Sequence, residues 1–253
     1  MAKLTYIPFV FPGLDNVSAV FTTRRGGNCK APFDEGNLSF DVGDDPYDVR
    51  ANRTELASSL GVSQWHECRQ VHGDIIHFEP EEGSPGNVAE IEGDGLATSA
   101  KGHALVVKTA DCQPILLAHK NGDFVAALHN GWRGNAINFP GKGVAEICAH
   151  YSCEPSELLA VRGPSLSPKA AMFVNFTTDF EPGFENYYSE TEQTMDLWKL
   201  TRDQLLEAGL EERNIYSLDM CTFSMPDTFF SYRREKESGR MCSLIWINRS
   251  SGE

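Results

Sequence analysis

The sequence predicts an α+β fold, a mixed α/β arrangement of packed mixed sheets flanked by helices, in a single domain spanning residues 1–253. The chain is long enough to bury a large core in one domain without disulfide or metal staples. Its apolar runs are mostly short and rich in β-branched and aromatic residues, and they outnumber the helical segments. The two kinds of segment do not alternate regularly, which favours a mixed sheet over a doubly wound parallel one.

Seven segments have the short apolar composition that is typical of strands. In chain order they are Val17–Thr23, Ile75–Phe78, His103–Thr109, Pro114–His119, Phe124–His129, Leu158–Val161 and Ser243–Ile247. Between the second and third of these runs, Glu79–Gly95 is acidic and contains proline and glycine. That composition predicts a mobile surface loop rather than a linker between domains.

Three segments carry apolar residues at helical spacing. They are Pro46–Leu60, Lys142–Tyr151 and Asp196–Ala208. The first has Asp45 as its N-cap candidate and Pro46 at the first helical position, a combination that favours helix initiation. Gly209 follows the third segment and predicts where that helix ends.

The charge balance of the chain limits the classes of binding partner that we expect. Lys and Arg number 22 and Asp and Glu number 36, which gives a net charge of −14 at pH 7. Nucleic acids and anionic membrane surfaces both favour a basic protein face, so neither is expected as a main partner. A small anionic substrate would require a local basic pocket in this acidic chain.

The cysteine content predicts a reducing compartment. The seven cysteines are an odd number and contain no Cys-x-x-Cys pair, which favours free thiols in the cytoplasm over a disulfide framework. Residues 1–8 lack the apolar core and cleavage site of a signal peptide, and no run of about 18 apolar residues is present. We therefore expect a soluble cytoplasmic protein.

The most informative pattern lies in residues 103–134, where two apolar strands flank Lys-Asn-Gly-Asp at 120–123. Asn-Gly between such strands is a strong signal for a two-residue hairpin turn. The resulting register places Cys112 and His129 on one face as diagonal neighbours, with Cβ atoms roughly 5.5–8 Å apart. Both residues lie where the strands give way to loops, so the two side chains can converge on one ion.

A thiolate and an imidazole suit zinc, which normally takes at least three protein ligands. The best third candidate is His72, which ends an apolar stretch just before Gly73, although no local pattern places it beside the pair. Such a His₂Cys set would leave a fourth position for water or substrate. The alternative is that Cys112 is a small buried apolar side chain and His129 a hydrogen-bonded strand histidine.

Two neighbouring arginines and two glycines form a second candidate site, one for binding an anion. Phe21–Gly27 runs from a strand into two arginines and two glycines, a combination that can bind phosphate or carboxylate through Arg24 and backbone N–H groups. Arg133 and residues 233–234 could line the same pocket. The alternative is a solvated turn and surface arginines stacked on neighbouring aromatic rings.

Two aspartates are candidates for acid–base chemistry. Asp94 lies between two glycines, which equally suits a turn residue. Asp111 precedes Cys112, and the alternation of side chains along a strand points it to the opposite face, so a supporting role is expected.

Missing motifs exclude several enzyme classes. The sequence has no His-Glu-x-x-His, Gly-x-Ser-x-Gly or P-loop, and it lacks the zinc deaminase signature. It also has no His-x-His pair for a coupled copper cluster and no obvious axial methionine for a blue-copper site. Zinc is therefore the favoured metal.

Ten short motifs together identify a family. In order they are Phe21–Gly27, Asn37–Ser39, Asn52–Arg53, Gln70–Gly73, Asp94–Thr98, Thr109–Cys112, His129–Gly134, Arg162–Pro164, Cys221–Thr222 and Phe229–Arg234. Their sequence and order resemble the YfiH family, also named multicopper polyphenol oxidoreductase (laccase-like) and purine nucleoside phosphorylase. The resemblance covers the chain from about Val17 to Ile247.

The resemblance implies a YfiH-like domain of mixed sheets and helices, with a zinc site on His72, Cys112 and His129. It also guides the remaining site assignments. We expect substrate contacts at Arg24, Asn37, Gln70 and Arg133, and catalytic roles for Cys112, Arg24 and Asp94.

The activity implied by the resemblance is that of a zinc-dependent purine nucleoside enzyme. It would split adenosine, inosine and methylthioadenosine with phosphate, and would deaminate adenosine. In phosphorolysis, Arg24, helped by Arg133, would position phosphate while Asp94 assists departure of the base. The oligomeric state is left open.

Three alternatives stay open at this point. One is a hydrolase that cleaves an amide of a peptidoglycan precursor with Cys112 as nucleophile and His129 as base. Another is a copper polyphenol oxidase, and a third is a metal-binding or partner-binding protein without catalysis.

Two residues depart from the family pattern. Asn130 replaces an alanine next to a proposed metal ligand, and Phe173 replaces a glutamate. Either change could alter the activity that the resemblance implies.

Overall fold

Two β-sheets pack face to face in the computed structural model, which describes residues 3–249. Thirteen strands lie in that range, namely Tyr6–Phe9 (β1), Val17–Thr22 (β2), Gln64–His66 (β3), Ile76–Phe78 (β4), Gly95–Thr98 (β5), His103–Thr109 (β6), Gln113–His119 (β7), Val125–Asn130 (β8), Leu158–Arg162 (β9), Tyr188–Ser189 (β10), Thr194–Met195 (β11), Ile215–Ser217 (β12) and Met241–Ile247 (β13). The same range contains the helices Pro46–Leu60 (α1), Trp132–Ala136 (α2), Phe139–Tyr151 (α3), Phe176–Asp179 (α4), Leu197–Glu207 (α5) and Tyr232–Glu235 (α6).

Both sheets are mixed. The first has the strand order β1-β2-β13-β6-β3, and only its β3–β6 pair is parallel among the described strands. The second has the order β12-β9-β7-β8-β5-β4, with parallel pairs at its two edges. A short ribbon pairs β10 with β11. This arrangement confirms the predicted α+β fold.

The molecule has four layers, because each sheet is covered on its outer face by helices. The central core lies between the sheets, while α1 covers the first sheet and α3 and α5 cover the second. Strand β7 contributes to two cores: Leu116 faces the central core and Leu117 the helical one. Burial of both faces explains why its sequence is continuously apolar instead of alternating.

The predicted elements are present with small differences. All seven predicted strands occur, with ends within two residues of the prediction. Helix α1 matches its predicted bounds, and the Asp45 side chain accepts a hydrogen bond from the Tyr47 N–H. Helix α3 begins at Phe139 instead of Lys142, because Asn138 accepts a hydrogen bond from the Gly141 N–H and caps an earlier turn.

Other elements were not predicted, among them α2 and six short strands. The predicted loop is present, since no helix or strand occurs between Phe78 and Gly95. Its first residue is anchored, because Tyr151 donates a 2.7 Å hydrogen bond to the Glu79 carboxylate. None of the helices in residues 3–249 is long and apolar enough to cross a bilayer.

The predicted hairpin register is confirmed, but the turn is longer than the predicted two residues, since β7 ends at His119 and β8 begins at Val125. Pro114 pairs with His129, and Gln113 pairs with Asn130, across β7 and β8. The segment before β7 crosses from β6 of the first sheet to the second sheet, and Cys112 lies on this crossing. The end of the hairpin and the crossing between the sheets therefore meet at one place.

Candidate active site

Three side chains converge where the hairpin meets the crossing between the sheets. The ligand atoms of His72, Cys112 and His129 all lie within 4.8 Å of one another. Sγ of Cys112 is 3.8 Å from Nε2 of His72. His129 is buried, Cys112 is half-buried and His72 is exposed, so the group opens on one side.

The backbone around this group has unusual conformations. His72 has a φ of 61° and Asp111 a φ of 96°, both in the left-handed region that side chains rarely adopt. Gly131 packs against the group, and a Cβ there would lie 2.9 Å from Sγ of Cys112. The glycine therefore leaves the room that the three side chains need.

Asp94 supports the group from behind. Its carboxylate is buried and accepts a 2.7 Å hydrogen bond from Nδ1 of His129. It also accepts hydrogen bonds from the backbone N–H groups of residues 71–73. Because Nδ1 of His129 is engaged, Nε2 is the nitrogen available to an ion, as in many carboxylate–histidine–metal arrangements.

The charges in the group reinforce one another. Burial opposes the Cys112 thiolate, but the charge and hydrogen bond of His129 outweigh it and lower the pKa of the thiol to about 6. Burial likewise opposes the charged form of His129, but Cys112 and Asp94 raise its pKa to about 9. Burial also opposes ionisation of Asp94, yet the hydrogen bond from His129 and the backbone donors lower its pKa.

This donor set fits a metal ion. One thiolate and two imidazoles are typical zinc donors, and three protein ligands with an open side are typical of catalytic sites. The fit rests on the convergence of the three side chains, on the Asp94 contact and on the space beside Gly131. The described residues therefore include a candidate centre of the open, three-ligand type.

The candidate centre forms part of the wall of a cavity of about 570 Å³. Five cationic side chains line this cavity, namely Arg69, Lys108, Arg133, Arg233 and Arg240. Two carboxylates, Asp41 and Asp111, also line it. The cavity is thus a local basic pocket in a chain with a net charge of −14, as an anionic substrate would require.

The arginines of the wall differ in how they are held. Arg133 lies 4.3 Å above the ring of Trp132, and among residues 3–249 its guanidinium has no hydrogen-bond partner. Arg233 donates to the Met172 carbonyl, and Arg240 donates to carbonyl groups of the preceding residues 238–239. Each guanidinium has five donors, so all three retain donors for a ligand.

Arg24, predicted to contact substrate, lies outside the cavity wall. It donates to the Asp34 carbonyl and to the Glu235 carboxylate, at 2.6 Å, and lies over the Phe230 ring. The N–H of Gly26 in the same turn donates to the Glu35 carboxylate. Protein acceptors therefore occupy the donors that were expected to bind an anion.

Asn37 and Gln70 hold residues that line the cavity. The Asn37 side chain is buried, and its Oδ1 accepts hydrogen bonds from the N–H groups of Ser39 and Arg240. Gln70 itself lines the cavity. Its side-chain amide donates a 2.8 Å hydrogen bond to the Lys108 carbonyl and accepts a 2.7 Å hydrogen bond from the Lys108 N–H. Within the described chain, the side-chain hydrogen bonds of both residues thus hold neighbouring segments of the cavity wall in place.

Sequence reasoning missed several residues of the wall, above all Lys108, Arg240 and Asp41. Lys108 interrupts the apolar run of β6, and a charge inside such a run was the available signal. No comparable signal marks Arg240 or Asp41, because charged residues are usual in loops. The prediction that Asp111 faces away from Cys112 is wrong, because Asp111 lies outside the strands with a φ of 96° and lines the same cavity. Its carboxylate accepts hydrogen bonds from the Thr222 hydroxyl and the Arg233 N–H, as in a supporting role.

The two departures from the family pattern have different surroundings. Asn130 is buried and donates to Asn135 and to Thr201 of α5. Phe173 lines the cavity and makes an edge contact with Trp132, with ring centroids 5.9 Å apart. The first change adds a polar contact to α5, and the second adds an aromatic ring to the cavity wall.

Known proteins are similar to this chain over most of its length. Residues 18–248 match the family described as multi-copper polyphenol oxidoreductase laccase. A purine nucleoside phosphorylase of Xylella fastidiosa (strain Temecula1) is 35% identical over 259 residues, covering 94% of this chain and 95% of its own. Purine nucleoside phosphorylase YfiH of Escherichia coli K12 is 32% identical over 253 residues, covering 94% and 96%. The chain belongs to the YfiH family.

Solved structures agree with this assignment to the YfiH family. YlmD from Geobacillus stearothermophilus has a TM-score of 0.87 and 32% identity, with 94% of each chain covered. The family predicted from the ten motifs is thereby confirmed, together with the YfiH-like fold. The names of the curated relatives support an enzyme acting on a small molecule.

Proposed function

We propose that this YfiH-family protein is a zinc-dependent purine nucleoside phosphorylase. It would split adenosine, inosine and methylthioadenosine with inorganic phosphate, releasing the base and a ribose 1-phosphate, or its methylthio derivative. The observation that carries the proposal is the open His72–Cys112–His129 group in the wall of a cavity lined by five cations. The names of the curated relatives support the same activity.

Phosphate would bind among the arginines of the cavity wall. Arg133 offers a guanidinium with no partner among the described residues, and Arg233 and Arg240 retain free donors. Guanidinium groups bind phosphate oxygens with paired hydrogen bonds, so they can hold phosphate for attack on the C1′ atom of ribose. Arg24 would act indirectly, by anchoring α6 through Glu235.

The purine base would bind at the aromatic part of the wall. Trp132, Phe173 and Tyr232 line the cavity, and flat aromatic rings suit the faces of a purine. Phe173 thus provides apolar surface at the position where family members usually carry a glutamate.

His72, Cys112 and His129 would hold zinc, which when bound supplies Lewis acidity for polarising an oxygen of the substrate. Asp94 would fix the orientation of His129 and keep Nδ1 protonated. We expected Asp94 to donate a proton to the leaving base, but a buried carboxylate with a lowered pKa is a poor acid. We therefore propose a positioning role for Asp94.

Deamination of adenosine is a second reaction that we propose for the same cavity. It requires water in place of phosphate as the nucleophile, and the group is open to the cavity on one side. We also propose a cytoplasmic location, which the seven free cysteines support.

An amide hydrolase is the second candidate function. Cys112, His129 and Asp94 form a chain of contacts in which a thiol of low pKa faces a histidine held by a carboxylate. This is the arrangement of a cysteine nucleophile with its base. A copper polyphenol oxidase is not favoured, because the described residues provide one three-ligand group and a coupled copper cluster needs more.

Product analysis tests the proposed function. Purified protein loaded with zinc is incubated with adenosine and phosphate, and the products are measured by mass spectrometry. We expect adenine and, from inosine formed by deamination, hypoxanthine, whose sum equals the ribose 1-phosphate formed, and neither reaction in Cys112→Ser. Equal turnover by Cys112→Ser would show that the activity does not depend on this centre, and would contradict the proposal. No product from the unaltered protein would contradict the proposal and favour the amide hydrolase.

A further inference from the structure

Asp41 and Lys108 form an ion pair in the cavity wall that the proposed function leaves unused. Nζ of Lys108 is 2.7 Å from Oδ2 of Asp41. The Lys108 side chain is 5% exposed, whereas that of Asp41 is 43% exposed. A buried cation therefore holds a carboxylate that is accessible from the cavity.

The Asp41 carboxylate is fixed in place. Lys108 is itself held by Glu67, at 3.4 Å, and Glu67 pairs with the fully buried Arg53 at 3.0 Å. Ser39 contributes twice, since its hydroxyl accepts from the N–H of Asp41 and donates to Oδ2 at 3.4 Å. The carboxylate is thus oriented before any ligand arrives, which lowers the entropic cost of binding.

The other carboxylate oxygen is available to a ligand. Within residues 3–249, Oδ1 of Asp41 accepts no hydrogen bond, while Oδ2 is engaged by Lys108 and Ser39. An ionised carboxylate only accepts hydrogen bonds, so a complementary ligand group must donate one. Phosphate carries the same sign of charge and is disfavoured there, which leaves hydroxyl and amino groups.

The surroundings of Asp41 favour a sugar hydroxyl over a base. The neighbouring side chains in the wall are polar, namely Ser39, Gln70 and Lys108, whereas Trp132 and Phe173 supply aromatic surface. A purine gains most from aromatic contacts, while ribose presents hydroxyl donors. Arg240, Asp41 and Cys112 all line the same cavity.

We propose that Asp41 is a specificity-determining residue that binds ribose, with Oδ1 accepting a hydrogen bond from a sugar hydroxyl. The substrate class is then ribonucleosides in preference to deoxynucleosides. This inference rests on the proposed function, because it names the part of the nucleoside that Asp41 contacts.

The test compares adenosine, 2′-deoxyadenosine and 3′-deoxyadenosine in phosphorolysis by the unaltered protein and by Asp41→Asn. A hydrogen bond to a charged group changes kcat/KM by about 10- to 100-fold, so the unaltered protein should prefer adenosine over one deoxynucleoside by that factor. In Asp41→Asn this preference should fall about tenfold or more. A partly misfolded variant lowers all rates equally, so the ratio still reports on Asp41.

Asp203→Asn is the matched control. Asp203 pairs with Lys199 at 2.6 Å, is 20% exposed and does not line the cavity, so its loss should leave the preference unchanged. Equal losses with all three nucleosides in Asp41→Asn would overturn the inference. Inosine is assayed alongside them, and a change only in the ratio of adenosine to inosine would also overturn the inference, because Asp41 would then contact the base.

Failure of the proposed function can be separated from failure of this inference. If the unaltered protein turns over none of the nucleosides, the proposed function falls, and their dissociation constants are measured instead. A preference for adenosine in binding that Asp41→Asn removes would support the ribose contact. Equal binding of the three nucleosides, or binding of none, would overturn it.

Discussion

The Asp94 carboxylate accepts one hydrogen bond from His129 and three from the backbone of residues 71–73. One buried side chain thereby fixes both the ring of His129 and the loop that carries His72. The left-handed conformation of His72 is maintained by these contacts, since the N–H of His72 is one of the donors. Partners of this kind usually orient metal ligands and raise their basicity.

Replacing Asp94 should weaken metal binding without removing a ligand. In Asp94→Asn the zinc dissociation constant is expected to rise about 10- to 100-fold. Competition with a chromophoric chelator measures this constant directly. Asp123→Asn is the control, because Asp123 is 66% exposed and pairs with His119 away from the cavity. An unchanged zinc affinity in Asp94→Asn would contradict the role of Asp94 in orienting the metal ligands.

Cys112 should be reactive at unusually low pH in the metal-free protein. Its thiol pKa is lowered to about 6 by His129 and His72 against the effect of burial. The thiolate fraction grows as pH rises through that value, so alkylation by iodoacetamide should increase between about pH 5 and 7 and then level off. Peptide mapping by mass spectrometry measures the alkylated fraction of each cysteine.

Two comparisons make the alkylation result specific to Cys112. Burial raises the pKa of Cys153, so this half-buried thiol should react slowly over the same pH range. Bound zinc should protect Cys112. A midpoint near the ordinary thiol value of about 8.5 would contradict the coupling to His129.

At the scale of elements, α6 shows how motif residues act through their neighbours. This helix brings Tyr232 and Arg233 to the cavity wall. It is held by Arg24, which donates to the Glu235 carboxylate, and by Asp111, which accepts from the N–H of Arg233. A helix of four residues has little stability of its own, so these contacts decide where it lies.

Removing the anchor of α6 should weaken phosphate binding while leaving the metal centre intact. In Arg24→Met we expect KM for phosphate to rise roughly tenfold, because small displacements of binding groups are costly, and zinc content to stay unchanged. Hydrogen exchange of residues 231–235 should become faster. The neighbouring Arg25→Met is the control, since Arg25 is exposed and its side chain donates only to the Asp227 carbonyl among the described residues. Unchanged KM and exchange in Arg24→Met would contradict the anchoring role.

Local signals in the sequence predicted the elements that they govern. Asn-Gly predicted the β7–β8 register correctly, so the proximity of Cys112 and His129 could be worked out from residue spacing. Helix α2 could not be predicted from the sequence, because Trp132–Ala136 is short, contains a glycine and depends on packing against α3 and α5. His72 reaches the centre through loop contacts with Asp94, which are non-local and leave no periodic pattern.

At the scale of the whole molecule, the candidate centre lies where the two sheets are joined. Cys112 is on the crossing from β6 to β7, and His129 is at the end of β8 in the second sheet. The cavity there concentrates positive charge in a chain of net charge −14. Such a pocket attracts a small anion.

The single domain over residues 1–253 stays a prediction that unfolding can test. Both sheets contribute to the central core, with Leu105 of β6 and Leu116 of β7 in the same cluster, so neither sheet can lose its partner without exposing that core. We expect one cooperative transition in urea, with coincident midpoints by circular dichroism and tryptophan fluorescence. Two separate midpoints would indicate two domains.

We propose that the His72–Cys112–His129 group binds the metal on which phosphorolysis depends. The most direct measurement titrates metal-free protein with zinc and follows ribose 1-phosphate formation from adenosine and phosphate. We expect activity to rise linearly up to one zinc per chain, and Cys112→Ser to gain none. Full activity in the metal-free protein, or equal activation of Cys112→Ser, would contradict it.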